Sequence, residues 1–152
     1  MSDAVHTSID IDAAPEQVWK AVMDAEQLDD WVTIHRKLLS ASDQPLKKGS
    51  KMKQVLCLRG VKFKVEWTVV EYDAPRLAVM EGKGPARSKA YIRDELHQNE
   101  DGGTHFEYTN EFSAPLGPLG KAASNVLVGG IPQREADASL KKLKRLVERN
   151  GK

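Results

Sequence analysis

The chain has 152 residues, the size of one ordinary domain, and is 40% hydrophobic and 30% charged. Its 23 basic and 22 acidic side chains nearly cancel, to a formal charge of +1, which argues against a dedicated nucleic-acid binder. Cys57 is the only cysteine, so an intrachain disulfide is excluded, in keeping with a reducing compartment.

The first residues, Met1 to His6, offer neither a basic nor an apolar leader segment, and the least polar late stretch, 126–131, is far too short to span a bilayer. The expectation is a cytoplasmic protein with no membrane span, and residues 1–152 read as one domain without internal repeat or linker.

Val5, Thr7, Ile9 and Ile11 alternate with His6, Ser8, Asp10 and Asp12, the period of a strand with one buried face. Pro15 suits the first turn of a helix, where its missing N–H is not needed. Val18, Trp19, Val22 and Met23 follow at helical spacing. Asp24 with Gln27 three positions on resembles a capping box and predicts a second short helix burying Leu28 and Trp31.

Strands are predicted over 32–41 and 52–59, on either side of the turn-like stretch 43–50. Val61, Phe63, Val65, Trp67 and Val69 alternate with Lys62, Lys64, Glu66 and Thr68, the clearest strand in the chain. Asp73-Ala74-Pro75 interrupts it, 77–81 resumes, and 82–85 reads as a turn. Residues 88–96 and 104–113 form a hairpin pair, and loops this short favour an antiparallel meander. Leu119, Ala122, Ala123, Val126 and Leu127 then switch to helical spacing. Gly129-Gly130-Ile131-Pro132 predicts a kink or break. Ala136, Leu140, Leu143 and Val147 continue an apolar stripe, and Lys141, Lys142, Lys144, Arg145 and Arg149 fill the other face. A sheet with one apolar face needs a cover, and this last helix is the obvious one.

Ala14-Pro15-Glu16-Gln17-Val18-Trp19, followed by Asp24 and Trp31, resembles the opening of START-like helix-grip proteins, the polyketide cyclase/dehydrase and lipid-transport superfamily. Gly49 before a strand, the stretch from Val70 to Leu77, and the closing stretch from Leu140 to Glu148 fit the same pattern, so the likeness covers essentially the whole chain. The resemblance implies an α+β helix-grip fold: a curved antiparallel sheet of about six or seven strands around a long C-terminal helix, two short helices after strand 1, and a ligand cavity between sheet and helix. Members bind lipids, hormones or polyketides, catalyse cyclisation, or act as interaction modules. The matched motifs are structural, and no catalytic set is carried over.

Strand parity nominates the cavity-facing residues. The apolar parity contains Met52, Leu56, Leu58, Phe63, Val65, Trp67, Val69, Leu77, Val79, Ala90, Ile92, Leu96, Phe106, Tyr108 and Phe112. Gln54, Glu81, Asp94 and Asn110 share it, with Arg36 less securely placed. Polar groups on a buried face need a partner or a ligand. The nominated ligand-binding set is Gln54, Phe63, Trp67, Glu81, Asp94, Tyr108, Asn110, Phe112 and Val126. The competing reading puts several of these outside, since one bulge flips parity. Trp19, Trp31 and Trp67 read first as core packing. His6, His35, His97 and His105 are scattered, with no zinc signature and no cysteine pair, so no metal and no cofactor are expected.

The leading function is binding of a small hydrophobic molecule (a lipid, polyketide or aromatic metabolite) in the cavity, with no nucleic-acid partner. The alternatives are a cyclase or dehydratase using Asp94, Glu81 or Tyr108 as acid or base, and a protein-interaction module that presents the basic face of the last helix over a vestigial cavity.

Overall fold

A computed structural model describes residues 3–58, 60–113 and 133–150. Strand β1 (Asp3–Ile11) turns directly into helix α1 (Pro15–Val22), with Pro15 in the first turn and the Ala14 N–H caught by Gln17 Oε1 at 3.2 Å. Val18, Trp19, Val22 and Met23 are all buried. Asp24 accepts the Glu26 N–H at 3.0 Å, while Gln27 Nε2 donates to the second carboxylate oxygen at 2.8 Å. The pairing of Asp24 with Gln27 therefore runs side chain to side chain. It starts a 3-10 turn (Ala25–Gln27) that continues as the single-turn helix α2 (Leu28–Trp31).

Six further strands follow: β2 (His35–Ala41), β3 (Lys51–Leu58), β4 (Val61–Asp73), β5 (Leu77–Lys83), β6 (Lys89–Gln98) and β7 (Thr104–Ser113). Together with β1 they form one curved antiparallel sheet in the order β1-β7-β6-β5-β4-β3-β2. The meander runs from β2 to β7, and β1 returns to close the far edge against β7, with Ile9 opposite Phe106.

Helix α3 (Gln133–Asn150) lies against β1, α1 and α2. Its buried stripe is Ala136, Ser139, Leu140, Leu143, Leu146 and Val147. Polar ties hold both ends of its packed length. Glu148 Oε2 accepts the Asp12 N–H at 2.7 Å, and Lys144 Nζ donates to the Asp10 carbonyl at 2.9 Å. Nearer its start, Ser139 Oγ accepts the Thr33 N–H at 3.0 Å and Glu135 Oε2 accepts the Thr33 hydroxyl at 2.7 Å. This is the predicted helix-grip architecture. No described helix is long and apolar enough to cross a membrane. The helical pattern at 119–127 and the expected break at 129–132 lie outside the described residues.

The structure corrects β5. Gly82 and Lys83 belong to the strand rather than to a turn. Between β4 and β5 the register shifts: Val69 faces Met80, Glu71 faces Val79, and Val70 is the extra, bulged residue. Ala78 and Met80 join the core, while Leu77 and Val79 are buried on the outer face of the sheet. There their neighbours across the flanking strands are Glu71, Arg93 and Glu95. The run Leu77-Ala78-Val79-Met80 is apolar throughout and carries no alternation, so only the register across from Trp67 and Val69 decides which side faces in.

Candidate functional site

The inner face of the sheet and the buried side of α3 enclose a cavity of about 60 Å³. Its wall combines Leu28 and Trp31 of α2, Ile34 and Leu46, Met52, Gln54 and Leu56 of β3, Trp67 of β4, Met80 of β5, Ile92 and Asp94 of β6, Tyr108 of β7, and Ala136, Ser139 and Leu140 of α3. The lining is apolar apart from a few polar groups, the usual composition of a small-molecule site.

Both polar atoms of Gln54 are engaged. Trp67 Nε1 can only donate, and it donates to Gln54 Oε1 at 2.6 Å. That fixes the orientation of the amide, whose nitrogen then donates to His35 Nδ1 at 2.8 Å. The His35 proton therefore sits on Nε2, which points to Asp29 Oδ1 at 3.3 Å. Burial is the main influence that holds His35 below the ordinary imidazole pKa; the Asp29 charge opposes it and Arg36 adds to it. Trp67 is thus pinned from the surface inward through three side chains. Its ring lies over Gly82, where a Cβ would come within 2.8 Å of Trp67 Cε3. Only glycine fits beneath the indole.

Asp94 and Tyr108 face each other across β6 and β7. Asp94 is 2% exposed, and desolvation pushes its carboxyl up to about 7. Its Oδ1 finds no hydrogen-bond partner among the described residues. Burial first, and the Asp94 charge second, raise the Tyr108 phenol above its ordinary value; a side-chain hydrogen bond with Asn110 works the other way. Trp31 Nε1 is the second cavity-wall atom buried without a partner among the described residues.

Of the nominated residues, Gln54, Trp67, Asp94 and Tyr108 line the cavity. Asn110 is completely buried beside Tyr108. Phe63 belongs to the core but borders an open groove with Leu39 and Pro85 instead of the cavity. Glu81 is a correction: it lies opposite Thr68 and Tyr91 on the outer face, exposed, because Met80 and not Glu81 occupies the inward position. Arg36 is also exposed, donating to the carbonyls of Thr33 and His35. Phe112 sits on β7 opposite Ala90, and Val126 lies outside the described residues.

Sequence reasoning passed over Trp31, Met80, His35 and Ser139. Trp31 was assigned to packing, and nothing in its spacing tells a bonded indole from a free one. His97 and His105, scattered in the sequence, lie with ring centroids 6.5 Å apart on the outer face, where His97 Nε2 is 3.2 Å from Glu107 and 3.4 Å from Glu95.

The seven-stranded grip and its enclosed, mainly apolar cavity define a helix-grip, ligand-cavity class of protein. The chain belongs to the polyketide cyclase / dehydrase and lipid transport family, whose model matches residues 2–148. It is similar to Toxin Rv0910 of Mycobacterium tuberculosis, 27% identical over 125 residues that cover 82% of this chain and 87% of that one. Among solved structures, a conserved protein from Geobacillus kaustophilus superposes with a TM-score of 0.72 at 19% identity, covering 100% of this chain and 98% of that one. Ara h 8.0201 superposes with a TM-score of 0.64 at 13% identity, covering 99% and 100%. At these identities the two structures speak for the fold alone.

Proposed function

We propose that the protein binds a small hydrophobic molecule in the cavity between the sheet and α3. The observation that carries this reading is Asp94: a carboxyl that is 2% exposed, with one oxygen unpartnered among the described residues, on the wall of an otherwise apolar cavity. A buried polar group left unsatisfied costs about 1–3 kcal/mol, and a bound molecule that reaches it recovers that cost. Membership of a cyclase and lipid-transport family supports the same reading. The cavity of about 60 Å³ is far below the roughly 300 Å³ of drug-sized pockets, so a lipid or polyketide enters only if the wall yields.

Trp31 and Trp67 both line the cavity, so occupancy changes their emission. Native mass spectrometry of the purified protein should show a co-purified small molecule. Titration with a short apolar ligand should give a saturable change in tryptophan fluorescence. A protein that is empty by mass and unresponsive to every apolar ligand tried overturns the reading.

A second reading, a cyclase or dehydratase, is favoured by one feature. An acid whose pKa lies near 7 inside a cavity is poised for proton transfer to an enolisable substrate. Asp94→Asn separates the two readings: it abolishes turnover of such a substrate in an enzyme, whereas in a carrier it only weakens binding.

A further inference from the structure

The polar side chains of the cavity wall divide into engaged and unengaged groups. Gln54 is committed to Trp67 and His35, Ser139 to Thr33, and Tyr108 is bonded with Asn110. Of the described cavity-wall atoms, two are left over, Trp31 Nε1 and Asp94 Oδ1. Their residues are 5% and 2% exposed, and both belong to the cavity wall.

We propose that the cavity takes a neutral molecule with an apolar body and a single ketone or alcohol oxygen, which docks on Trp31 and Asp94, and that it rejects carboxylates. The proposal rests on the binding reading above and specifies the ligand class. Trp31 only donates, so the ligand must present an acceptor. Asp94 in its acid form also donates, and a ketone oxygen has lone pairs for both. Asp94 in its ionised form accepts, and an alcohol oxygen then accepts the indole N–H while its own O–H donates to the carboxylate.

No Lys or Arg lines the cavity among the described residues. A carboxylate ligand would be buried beside an acid with no cation among the described cavity residues to balance its charge. An amine would pair with Asp94 but has no acceptor for Trp31 once it is charged.

Five ring compounds of one shape separate these cases: cyclohexanone, cyclohexanol, cyclohexanecarboxylate, cyclohexylamine and methylcyclohexane. Each is titrated into the intact protein, its Trp31→Phe and Asp94→Asn variants, and Asp94→Leu as a second change at that position, with binding read from backbone and indole N–H resonances. The proposal expects cyclohexanone and cyclohexanol to bind most tightly, moving the Trp31 indole N–H downfield as it gains a hydrogen bond. Trp31→Phe and Asp94→Leu should each weaken them by about tenfold, with methylcyclohexane unaffected and Asp94→Asn intermediate. Tightest binding by the carboxylate or the amine overturns the proposal while leaving the binding reading intact, as does methylcyclohexane matching the alcohol. Failure of all five to bind removes the proposal alone if the protein carries a co-purified small molecule by mass, and the binding reading with it if the protein is empty.

Discussion

Asp94 of β6 stands directly opposite Tyr108 of β7, and both side chains line the same buried cavity, one an acid and the other a phenol. Neither is balanced by a cation among the described cavity residues, and the Asp94 charge makes ionisation of Tyr108 harder. The pair is a cost to the fold placed where a ligand would meet it, the usual position for groups with strongly perturbed pKa values.

The size of that cost depends on pH. The Asp94 pKa is raised from 3.8 unfolded to about 7 folded. Between those values the folded state holds a proton that the unfolded chain has lost, so stability falls as pH rises through this window and stays low above it. Asp94→Asn removes the titration. The variant should gain up to about 4 kcal/mol over the parent above pH 7, and little below pH 4. Denaturant midpoints measured across this range check it. A parent and variant with parallel pH profiles would rule the assignment out.

His35 acts in the opposite sense. Its folded pKa is held below the ordinary 6.5, chiefly by burial, so the neutral ring is the folded form. Its contribution to stability is complete above the unfolded value and is lost as pH falls through the depressed folded one. Protonation also places a hydrogen on Nδ1, where Gln54 already donates. Asp29→Asn, by removing the one charge that raises it, should lower the His35 pKa further in an NMR titration, and the difference should shrink in high salt because Asp29 is largely exposed.

Gln54→Leu should be strongly destabilising. It leaves Trp67 Nε1 and His35 Nδ1 buried without their partners. At about 1–3 kcal/mol for each orphaned group, a loss near 3 kcal/mol is expected in chemical denaturation. A loss below about 0.5 kcal/mol, the range of an ordinary surface substitution, would show that the bonds are not formed.

Gly82→Ala should cost about 1–3 kcal/mol as an overpacking change, because the new methyl meets Trp67 Cε3 at 2.8 Å and Val65 Cγ1 at 2.9 Å. The indole cannot retreat while Gln54 holds it. In the double variant with Gln54→Leu the ring is released, so the combined loss should fall short of the sum of the two single losses, a coupling that a double-mutant cycle measures directly.

Much of the fold was legible because its strands alternate cleanly. Phe63, Val65 and Trp67 face in as their spacing says, and the same parity carries Gln54, Asp94 and Tyr108 to the cavity wall. Glu81 failed for a local reason. Its strand opens with four apolar residues in a row, and the Val70 bulge in the neighbouring strand resets the pairing, so period-two reasoning had nothing to hold. Trp31 escaped for another reason. It lies in a helix of one turn whose orientation comes from the Thr33 contacts with α3, and such tertiary placement leaves no mark in residue spacing.

The rivet through Gln54 makes the two halves of the cavity mechanically unequal. On the sheet side, β2, β3 and β4 are joined from within by His35, Gln54 and Trp67, in addition to their ladder. On the opposite side, the described polar ties of α3 run to β1, to the loop after it and to Thr33, with none to those three strands. A widening taken up by displacement of α3 would leave the Trp67 side of the wall, held by Gln54, in place.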